Sequence, residues 1–390
     1  MTRTLLSLTG LAAATLLAAC GGGGGADVGS GGGIGGTGGM RVSLTDAPAC
    51  GFDQVNVTVD RVRVHQDDGA ADGGAGWHEV VVSPPRRINL LDLTNGVLDE
   101  LGQATLPAGR YTQLRLVLAD NTGAAPFANS VVPTGGREVA LSTPSAQQSG
   151  LKLKTAIDVP DGQVADVVLD FDACKSVVRR GNSGAYNLKP VVTVTTALSD
   201  AGLRVVGYVA PAIADGAAVS VQFEGRPVKA TVPDPLSGRF VLYPVPQGTY
   251  DLVLTAPNRR TAVVTGVPVA PGTPTALNPA GAPLLPPASA TRPVTGTVAP
   301  ATATVRVLQA LAAGPTVEVA WAPVDADTGA FATAVATDAP WRAPFGPALA
   351  FTADTAPPGR YTVEASTGTR TLAFPVDATA PVPPLAITFP

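Results

Sequence analysis

Few residues in this sequence could carry out acid–base or nucleophilic chemistry. The chain has two histidines, His65 and His78, and three cysteines. The segment from His78 begins like the zinc motif H-E-x-x-H, but Val82 stands where the second histidine must be. No serine lies in a G-x-S-x-G elbow, and no two cysteines form a C-x-x-C pair. We therefore predict that the protein is not an enzyme and needs no cofactor.

Carboxylates offer one possible metal site. Asp170 and Asp172 lie two residues apart on a predicted strand, so their side chains should project from the same face. Asp46, Asp158 and Asp161 could approach them from turns. Such a cluster would suit calcium, which takes about six to eight oxygen ligands. The alternative is that these aspartates are solvated or cap turns.

Tryptophan rings could bind a sugar by stacking if they were exposed. Trp341 lies between two prolines in an insertion, where a surface loop is expected. It is the candidate contact for a carbohydrate or a partner, and the alternative is a loop residue folded over the domain. Trp77 and Trp321 are predicted to lie in the core, since Trp321 shares a strand face with two valines.

The first residues of the chain predict export. Arg3 precedes an uncharged stretch, Thr4 to Ala19, that is shorter than the ~20 residues of a membrane-spanning helix. Its end, Leu17-Ala18-Ala19-Cys20, resembles the lipobox of bacterial lipoproteins. The resemblance implies a signal peptide over residues 1–19 and lipid, including an acyl group such as palmitate, on Cys20. The alternative is an ordinary secretory signal with an incidental cysteine.

The residue after Cys20 bears on localisation. Gly21, where an aspartate could stand, resembles the pattern sorted to the outer membrane of Gram-negative bacteria. Residues 20–39 are nearly all glycine and contain no apolar cluster, so they predict a disordered, flexible tether. Charged residues make up 14% of the chain and the net charge is −4, so no basic field favours nucleic acid as a partner.

Cys50 and Cys174 are the two cysteines that remain beside the lipobox. An exported chain lies in an oxidising compartment, where an even number of cysteines can pair. We predict a disulfide between them, which would close a loop of about 120 residues and stabilise the fold by roughly 4 to 5 kcal/mol in the chain-entropy description. Two free buried thiols are the alternative.

The remaining pattern predicts many short strands. Pro and Gly recur every several residues, and Val, Leu and Thr fill the gaps. The apolar alternation between Val55 and Val64 slips by one residue near Asp60 and Arg61, which predicts a β-bulge. Only the segment from Asn95 to Leu101 could form a short helix. About 370 residues follow the signal peptide, so two or three domains are expected.

Residues 40–199 contain a series of distinctive phrases. These are S-L-T-D-A-P, I-N-L-L-D-L, L-P-A-G-R-Y-T-Q-L-R-L, D-F-D-A-C-K-S-V-V and Y-N-L-K-P-V-V. The segment resembles the bacterial domain-of-unknown-function family 4382, which is typical of exported lipoproteins. The resemblance implies an immunoglobulin-like or prealbumin-like β-sandwich, and it supplies no catalytic residue.

Two later segments, residues 203–278 and 294–390, resemble each other. Each contains a D-x-x-[S/T]-G-x-F turn, starting at Asp234 or Asp325, followed by P-x-G-x-Y ending at Tyr250 or Tyr361. Such a turn needs side-chain oxygens that accept backbone hydrogen bonds and a glycine with positive φ. The segments resemble carboxypeptidase regulatory-like domains, which are prealbumin-like sandwiches with structural or carbohydrate-associated roles. The second segment carries roughly twenty extra residues, and the Pro-rich residues 279–293 predict a stiff linker.

Together these patterns predict an all-β chain of tandem immunoglobulin-like or prealbumin-like β-sandwich domains behind a lipoprotein signal peptide and tether. We expect a membrane-anchored cell-envelope lipoprotein with a structural or binding role. Its expected partners are the membrane, through the lipid on Cys20, and an envelope protein or polysaccharide. The alternative function is a carbohydrate-binding or calcium-dependent adhesion module.

Overall fold

Strands dominate the part of the chain that the structure describes. The computed structural model describes residues 36–46, 51–143, 150–197 and 202–390. The strands of these ranges form six sheets, as predicted for tandem β-sandwiches, and residues 36–390 form one compact unit. No helix within the described ranges is both long enough and apolar enough to cross a membrane.

Within its described residues, the first sandwich contains twelve strands, one 3-10 helix and one short α-helix. Their bounds are β1 Thr37–Asp46, β2 Phe52–His65, β3 His78–Asn89, the 3-10 helix Leu90–Leu93, β4 Asp99–Pro107, β5 Gly109–Leu118, β6 Ser130–Pro133, β7 Val139–Ser142, β8 Leu151–Val159, β9 Val164–Phe171, α1 Ala173–Ser176, β10 Val177–Arg180, β11 Ala185–Leu188 and β12 Val192–Ala197. One sheet has the order β12-β9-β1-β4, and the other has the order β10-β11-β7-β6-β2-β5-β8 with β3 also paired to β2.

The β-bulge predicted near Asp60 is confirmed. The register of β2 against both β3 and β5 shifts between Val59 and Arg61. Valines on both sides of the shift are fully buried, because the extra residue returns the apolar side chains to the core face. The helix predicted at residues 95–101 is wrong. Asn95 and Gly96 have φ values of 57° and 77°, which place them in a turn before β4.

The second and third sandwiches follow in sequence. The second contains β13 Val205–Tyr208, α2 Pro211–Ala214, β14 Ala218–Phe223, β15 Arg226–Thr231, β16 Arg239–Leu242, β17 Gly248–Thr255, β18 Ala262–Val269 and β19 Thr275–Ala276. The remaining strands are β20 Thr291–Ala299, β21 Thr304–Ala310, β22 Thr316–Ala322, β23 Ala330–Ala336, β24 Trp341–Pro344, β25 Thr352–Ala353, β26 Arg360–Ser366, β27 Thr371–Asp377 and β28 Leu385–Thr388. In the third sandwich, a β23-β20-β28 sheet and a β22-β21-β26-β27 sheet enclose the core.

The D-x-x-[S/T]-G-x-F turn has the same hydrogen bonds in both later sandwiches. Asp234 Oδ1 accepts from the backbone N–H of Ser237 at 2.7 Å, and Asp325 Oδ1 accepts from that of Thr328 at 2.8 Å. The glycine of each turn has a φ near that of a left-handed residue, +67° in the first and +69° in the second. The phenylalanine that ends each turn is buried, as the sequence predicts.

Asp325→Asn is expected to lower the melting temperature at neutral pH. The decrease should be larger than that caused by Asp234→Asn. Burial raises the pKa of Asp325, but hydrogen bonds from Thr328 outweigh it, so the pKa lies below its ordinary value. Asp325 Oδ2 also accepts from the backbone N–H of Gly181 in the first sandwich at 2.7 Å, and asparagine keeps only one oxygen.

The pH dependence of this effect has a definite sign. A carboxyl group whose folded-state pKa is lowered contributes stability above its unfolded pKa of about 3.9, and that contribution is lost as the pH falls through the folded value. Melting temperatures of the wild type and Asp325→Asn should therefore converge below about pH 4. A difference that stays constant down to acid pH would contradict the assignment.

The tyrosines of the P-x-G-x-Y phrases close the corner that precedes their strands. Tyr111 and Tyr250 each donate a hydrogen bond from the hydroxyl to the carbonyl of the proline four residues earlier, at 2.9 and 2.8 Å. Tyr361 donates instead to the carbonyl of Ala336, at 2.7 Å. The third sandwich therefore departs from the other two beside its insertion.

The insertion does not form a loop on the third sandwich. Strand β24 pairs in parallel with β18 of the second sandwich, and β25 pairs with β24, giving the sheet order β15-β14-β17-β18-β24-β25. The backbone N–H groups of Trp341 and Phe345 donate to carbonyls of the second sandwich at 2.8 Å. These strands, which the sequence assigns to the last domain, thus complete the sheet of the preceding one.

The Pro-rich linker is not a free spacer. Leu284 is buried in the core of the second sandwich, and its carbonyl accepts from the N–H of Ala210 at 2.9 Å. Strand β20 already begins at Thr291, inside the predicted linker. The linker therefore lies along the second sandwich, because Leu284 buries apolar surface there.

Candidate functional site

Charged side chains from all three sandwiches meet where the sandwiches join. Each is carried on the outer face or at the end of an element whose inner face lies in its own core. We call this set the junction network. Its members are Asp170 in β9, Asp172 and Lys175 at α1, Lys229 in β15, Arg306 in β21, Glu318 in β22 and Glu364 in β26.

One part of the junction network joins the first sandwich to the second. Lys229 Nζ donates to Asp170 Oδ1 at 2.6 Å. The Lys229 side chain is 2% exposed and that of Asp170 is 12% exposed, so the pair is largely removed from water. Removing two charges from water is costly unless each has a partner, which the short contact provides.

A second part joins the first sandwich to the third. Lys175 Nζ lies 3.1 Å from Glu318 Oε1 and 3.5 Å from Asp172 Oδ2. Burial lowers the pKa of Lys175, but these two carboxylates outweigh it, so the pKa is raised and the lysine stays charged. Arg306 in turn lies 3.5 Å from Glu318 and 2.7 Å from Glu364. Cations and carboxylates therefore alternate through the interface.

A buried glutamine joins the second and third sandwiches. Gln222 Nε2 donates to the carbonyl of Glu318 at 2.7 Å, and Gln222 Oε1 accepts from the N–H of Glu318 at 2.8 Å. The side-chain amide thus makes both hydrogen bonds that a neighbouring strand would make to that residue. Nearby, Val253, Val263, Leu311 and Val317 form a small apolar cluster across the same interface.

Asp46 is a buried carboxyl at the edge of the network. Asp46 Oδ1 accepts from the N–H of Ala173 at 2.9 Å, while Oδ2 has no hydrogen-bond partner in the described structure. Burial raises the pKa of Asp46 well above its ordinary value, and the Ala173 hydrogen bond opposes this only in part. Burial likewise raises the pKa of Asp172, with Lys175 opposing it. Asp46 is therefore protonated over a wider pH range than an exposed aspartate.

Two hollows adjoin the network. The smaller, of about 300 Å³, lies among the three sandwiches, and Lys175, Gln222, Glu318 and Trp321 are among the residues that line it. Its size matches the lower end of small-ligand sites, about 300 Å³. The polar groups that line it already form hydrogen bonds and ion pairs with one another across the interface. They therefore stabilise the contact between the sandwiches.

The larger hollow is a groove of about 680 Å³ between the first and third sandwiches. Phe52 and Tyr186 line it, with their rings edge to face and their centroids 5.7 Å apart. Cys174 and Gly51 also line it. Cys50 lies outside the described residues, so the disulfide stays a prediction, although its neighbour Gly51 lines the same groove as Cys174. Cys20 also lies outside the described residues.

The predicted calcium site does not assemble. The carboxylates of Asp170 and Asp172 are occupied by the ammonium groups of Lys229 and Lys175. Within the described ranges, no group of three or more His, Cys, Asp or Glu side chains could hold a metal ion. Asp172 also ends the strand and caps α1, since its Oδ1 accepts from the N–H of Lys175 at 3.0 Å. Asp170 joins two domains because a lysine of the second sandwich faces it, whereas Asp172 faces the lysine of the helix that it caps.

The tryptophans lie elsewhere than predicted. Trp341 is a half-buried strand residue that stacks on Phe351, with ring centroids 4.2 Å apart and an interplanar angle of 18°. Trp77 is also half-buried, and the guanidinium groups of Arg63 and Arg115 lie 4.5 and 4.7 Å from its ring centre. Trp321 lies beneath the ammonium of Lys175, at 5.0 Å, so it faces the junction and not the core. A carbohydrate contact at Trp341 stays a prediction.

The two histidines serve local structure. His65 Nδ1 accepts from the N–H of Asp67 at 2.9 Å, and Nε2 lies 3.0 Å from the carbonyl of Ala75, which requires the neutral tautomer with hydrogen on Nε2. His78 begins β3 and lies edge-on to Tyr111, with ring centres 6.0 Å apart. The segment that resembles a zinc motif is therefore a strand and not a helix.

Sequence reasoning missed Lys229, Gln222, Glu318 and Arg306. The sequence contains one signal for them, because Glu318 alternates with valines and so lies on the face opposite its domain core. Alternation assigns such residues to solvent. It does not show that a second domain covers that face, because the covering surface lies far away in sequence.

Comparisons with known proteins add a family for the first sandwich. A family described as a domain of unknown function (DUF4382) matches residues 37–190. No curated protein matches the chain. Among solved structures, a surface layer protein, SbsC domains 1–6, aligns at 11% identity over 90% of this chain and 54% of that one, with a TM-score of 0.09. The alignment thus spans about half of that structure.

Proposed function

We propose that this protein is a non-enzymatic lipoprotein of the bacterial cell envelope, anchored in the outer membrane through Cys20. In this proposal the described body is a scaffold that holds binding surfaces away from the membrane for an envelope protein or polysaccharide. The lipobox-like segment ending at Cys20 and the glycine-rich residues that follow support the anchor and the tether. A disulfide between Cys50 and Cys174 is part of the proposal.

The observation that carries the structural role is the interlocking of the three sandwiches. Tandem domains joined by small polar interfaces are expected to move relative to one another. Here β24 of one sandwich completes the sheet of another, and buried ion pairs and the Gln222 amide span the interfaces. Such a body keeps its surfaces at a fixed distance from the end of the tether.

The same contacts support a non-enzymatic role. Shifted pKa values often mark catalytic groups, but structural ion pairs shift them as well. Burial raises the pKa of Asp172, and the carboxylates of Glu318 and Asp172 outweigh burial to raise the pKa of Lys175. The shifts therefore need no catalytic explanation.

Cys20→Ser is expected to abolish acylation and to move the protein from the membrane to the soluble fraction. Serine lacks the thiol that receives the lipid, and membrane attachment depends on buried acyl chains, at about 0.8 kcal/mol per methylene. Metabolic labelling with a palmitate analogue and cell fractionation measure both effects. Cys50→Ser is the matched control and should keep the label and the membrane location. Labelled Cys20→Ser protein would contradict the anchor.

The partner can be sought directly in cells. Crosslinking of intact cells, followed by identification of what the body contacts, separates a protein partner from a polysaccharide. Recovery of only the lipoprotein itself, from cells in which a known envelope complex is crosslinked efficiently, would count against a scaffold role.

A further inference from the structure

We propose that Lys229 and Asp170 join through their side chains in an isopeptide bond that fastens the second sandwich to the first. Lys229 Nζ already lies 2.6 Å from Asp170 Oδ1, so the nitrogen is held beside the carboxyl group whose Cγ it would attack. Asp170 is the one carboxylate in contact with Lys229 within the described ranges, whereas Lys175 contacts two. The inference goes beyond the proposed function and does not depend on it.

Burial makes a reaction between Lys229 and Asp170 more favourable than one between the partners of an exposed ion pair. The lysine side chain is 2% exposed, and Thr231, two residues further along β15, is fully buried. In an environment that disfavours separated charges, an ammonium and a carboxylate can neutralise each other by transferring one proton. The resulting amine is a nucleophile, and the resulting carboxylic acid is an electrophile that an ionised carboxylate is not.

Asp46 supplies a nearby acid. Strand β1, which ends at Asp46, pairs with β9 so that Asp46 aligns with Phe171, the residue after Asp170. Asp46 is 1% exposed, and its Oδ2 has no hydrogen-bond partner in the described structure. Burial raises the pKa of Asp46, and both Asp170 and Lys229 act on its charge. A protonated Asp46 can donate a proton to a carboxyl oxygen of Asp170 during the attack. It can be reprotonated when water leaves.

The reaction balances without any other reactant. The nitrogen lone pair of Lys229 attacks Cγ of Asp170, so a C–N bond forms and one C–O bond breaks. The departing oxygen takes two of the three protons of the original ammonium and leaves as water, and the third proton stays on the amide nitrogen. Nothing is oxidised or reduced, and Asp46 ends in its starting protonation state.

Peptide mapping of the full-length protein, purified from membranes, tests the bond. After reduction, alkylation and trypsin digestion, we expect residues 155–175 joined to residues 205–239, with no cleavage after Lys229. The mass of this species should be lower by one water than the sum of its two peptides. Separate peptides 155–175, 205–229 and 230–239, with no linked species, would overturn the proposal.

Variants test the chemistry as well as the product. Lys229→Arg keeps the charge but not the nucleophile, so the linked species should vanish, while Lys175→Arg, in the adjacent ion pairs, should retain it. Asp170→Asn should still link but lose ammonia, so its linked species should have the same mass as that of the wild type and lie below the sum of its two peptides by one ammonia and not by one water. Asp46→Asn should slow linkage in newly made protein. Equal rates in Asp46→Asn and the wild type would remove Asp46 from the reaction.

Discussion

Glu318→Ala is expected to lower the free energy of unfolding by about 3–5 kcal/mol, the range found when one partner of a buried ion pair is removed. The Glu318 side chain is 8% exposed and contacts both Lys175 and Arg306. Its removal leaves Asp172, at 3.5 Å, as the one carboxylate beside Lys175 in the described structure, and Glu364 as the one beside Arg306. Urea or thermal unfolding of the full-length protein measures the loss.

Two controls separate the charge from the volume of Glu318. Glu318→Gln keeps the shape and the backbone bonds to Gln222 but removes the charge, so most of the loss should persist. Lys154→Ala removes an ion pair whose lysine is 77% exposed, so it should cost less than about 1 kcal/mol. If Glu318→Ala unfolds like Lys154→Ala, the junction network is not buried in solution as the structure shows.

Features that depend on a few neighbouring residues could be predicted from the sequence. The slip of apolar phase between Val59 and Arg61 predicted a bulge, because only one extra residue keeps both halves of the strand facing the core. The turn at Asp234 was equally predictable, since its aspartate, serine and glycine each meet a local requirement. In both cases the partners lie within a few residues.

Features that depend on distant pairing could not be predicted. The insertion around Trp341 has the composition of a loop, with prolines, glycine and alanine, and nothing local shows that β18 offers it an open edge. Backbone groups at such an edge need a partner, and the insertion provides one. The position of the linker could not be predicted for the same reason, because the burial of Leu284 depends on a surface formed elsewhere in the chain.

The candidate site was half predictable. Side-chain alternation correctly placed Asp170 outside the core, where Phe171 is buried. The predicted ligand, calcium, was wrong, because a cluster of acidic residues indicates that a cation binds there but not which cation. Here the cation is a lysine from another sandwich, 59 residues away along the chain. Matching such partners requires the arrangement of domains, which the local pattern does not contain.

Trp341→Ala is expected to lower the free energy of unfolding by about 3 kcal/mol, the low end for truncating a buried aromatic residue. The ring is half-buried, packs against the core of the second sandwich and stacks on Phe351. In a double-mutant cycle with Phe351→Ala, the two rings should show a coupling of about 0.5–1.5 kcal/mol. Phe223→Ala, at an aromatic residue that is 55% exposed, should have a much smaller effect.

The same variant separates the structural role of Trp341 from a role in binding carbohydrate. A ring that fastens β24 to the second sandwich should change stability and leave any binding to purified peptidoglycan unchanged at temperatures where the variant is folded. A sugar platform should do the reverse, because an exposed stacking ring contributes contact area to the ligand and little to the fold. Loss of peptidoglycan binding with unaltered unfolding would therefore favour the adhesion alternative over a scaffold. The stack on Phe351 and the strand pairing with β18 lead us to expect the first result.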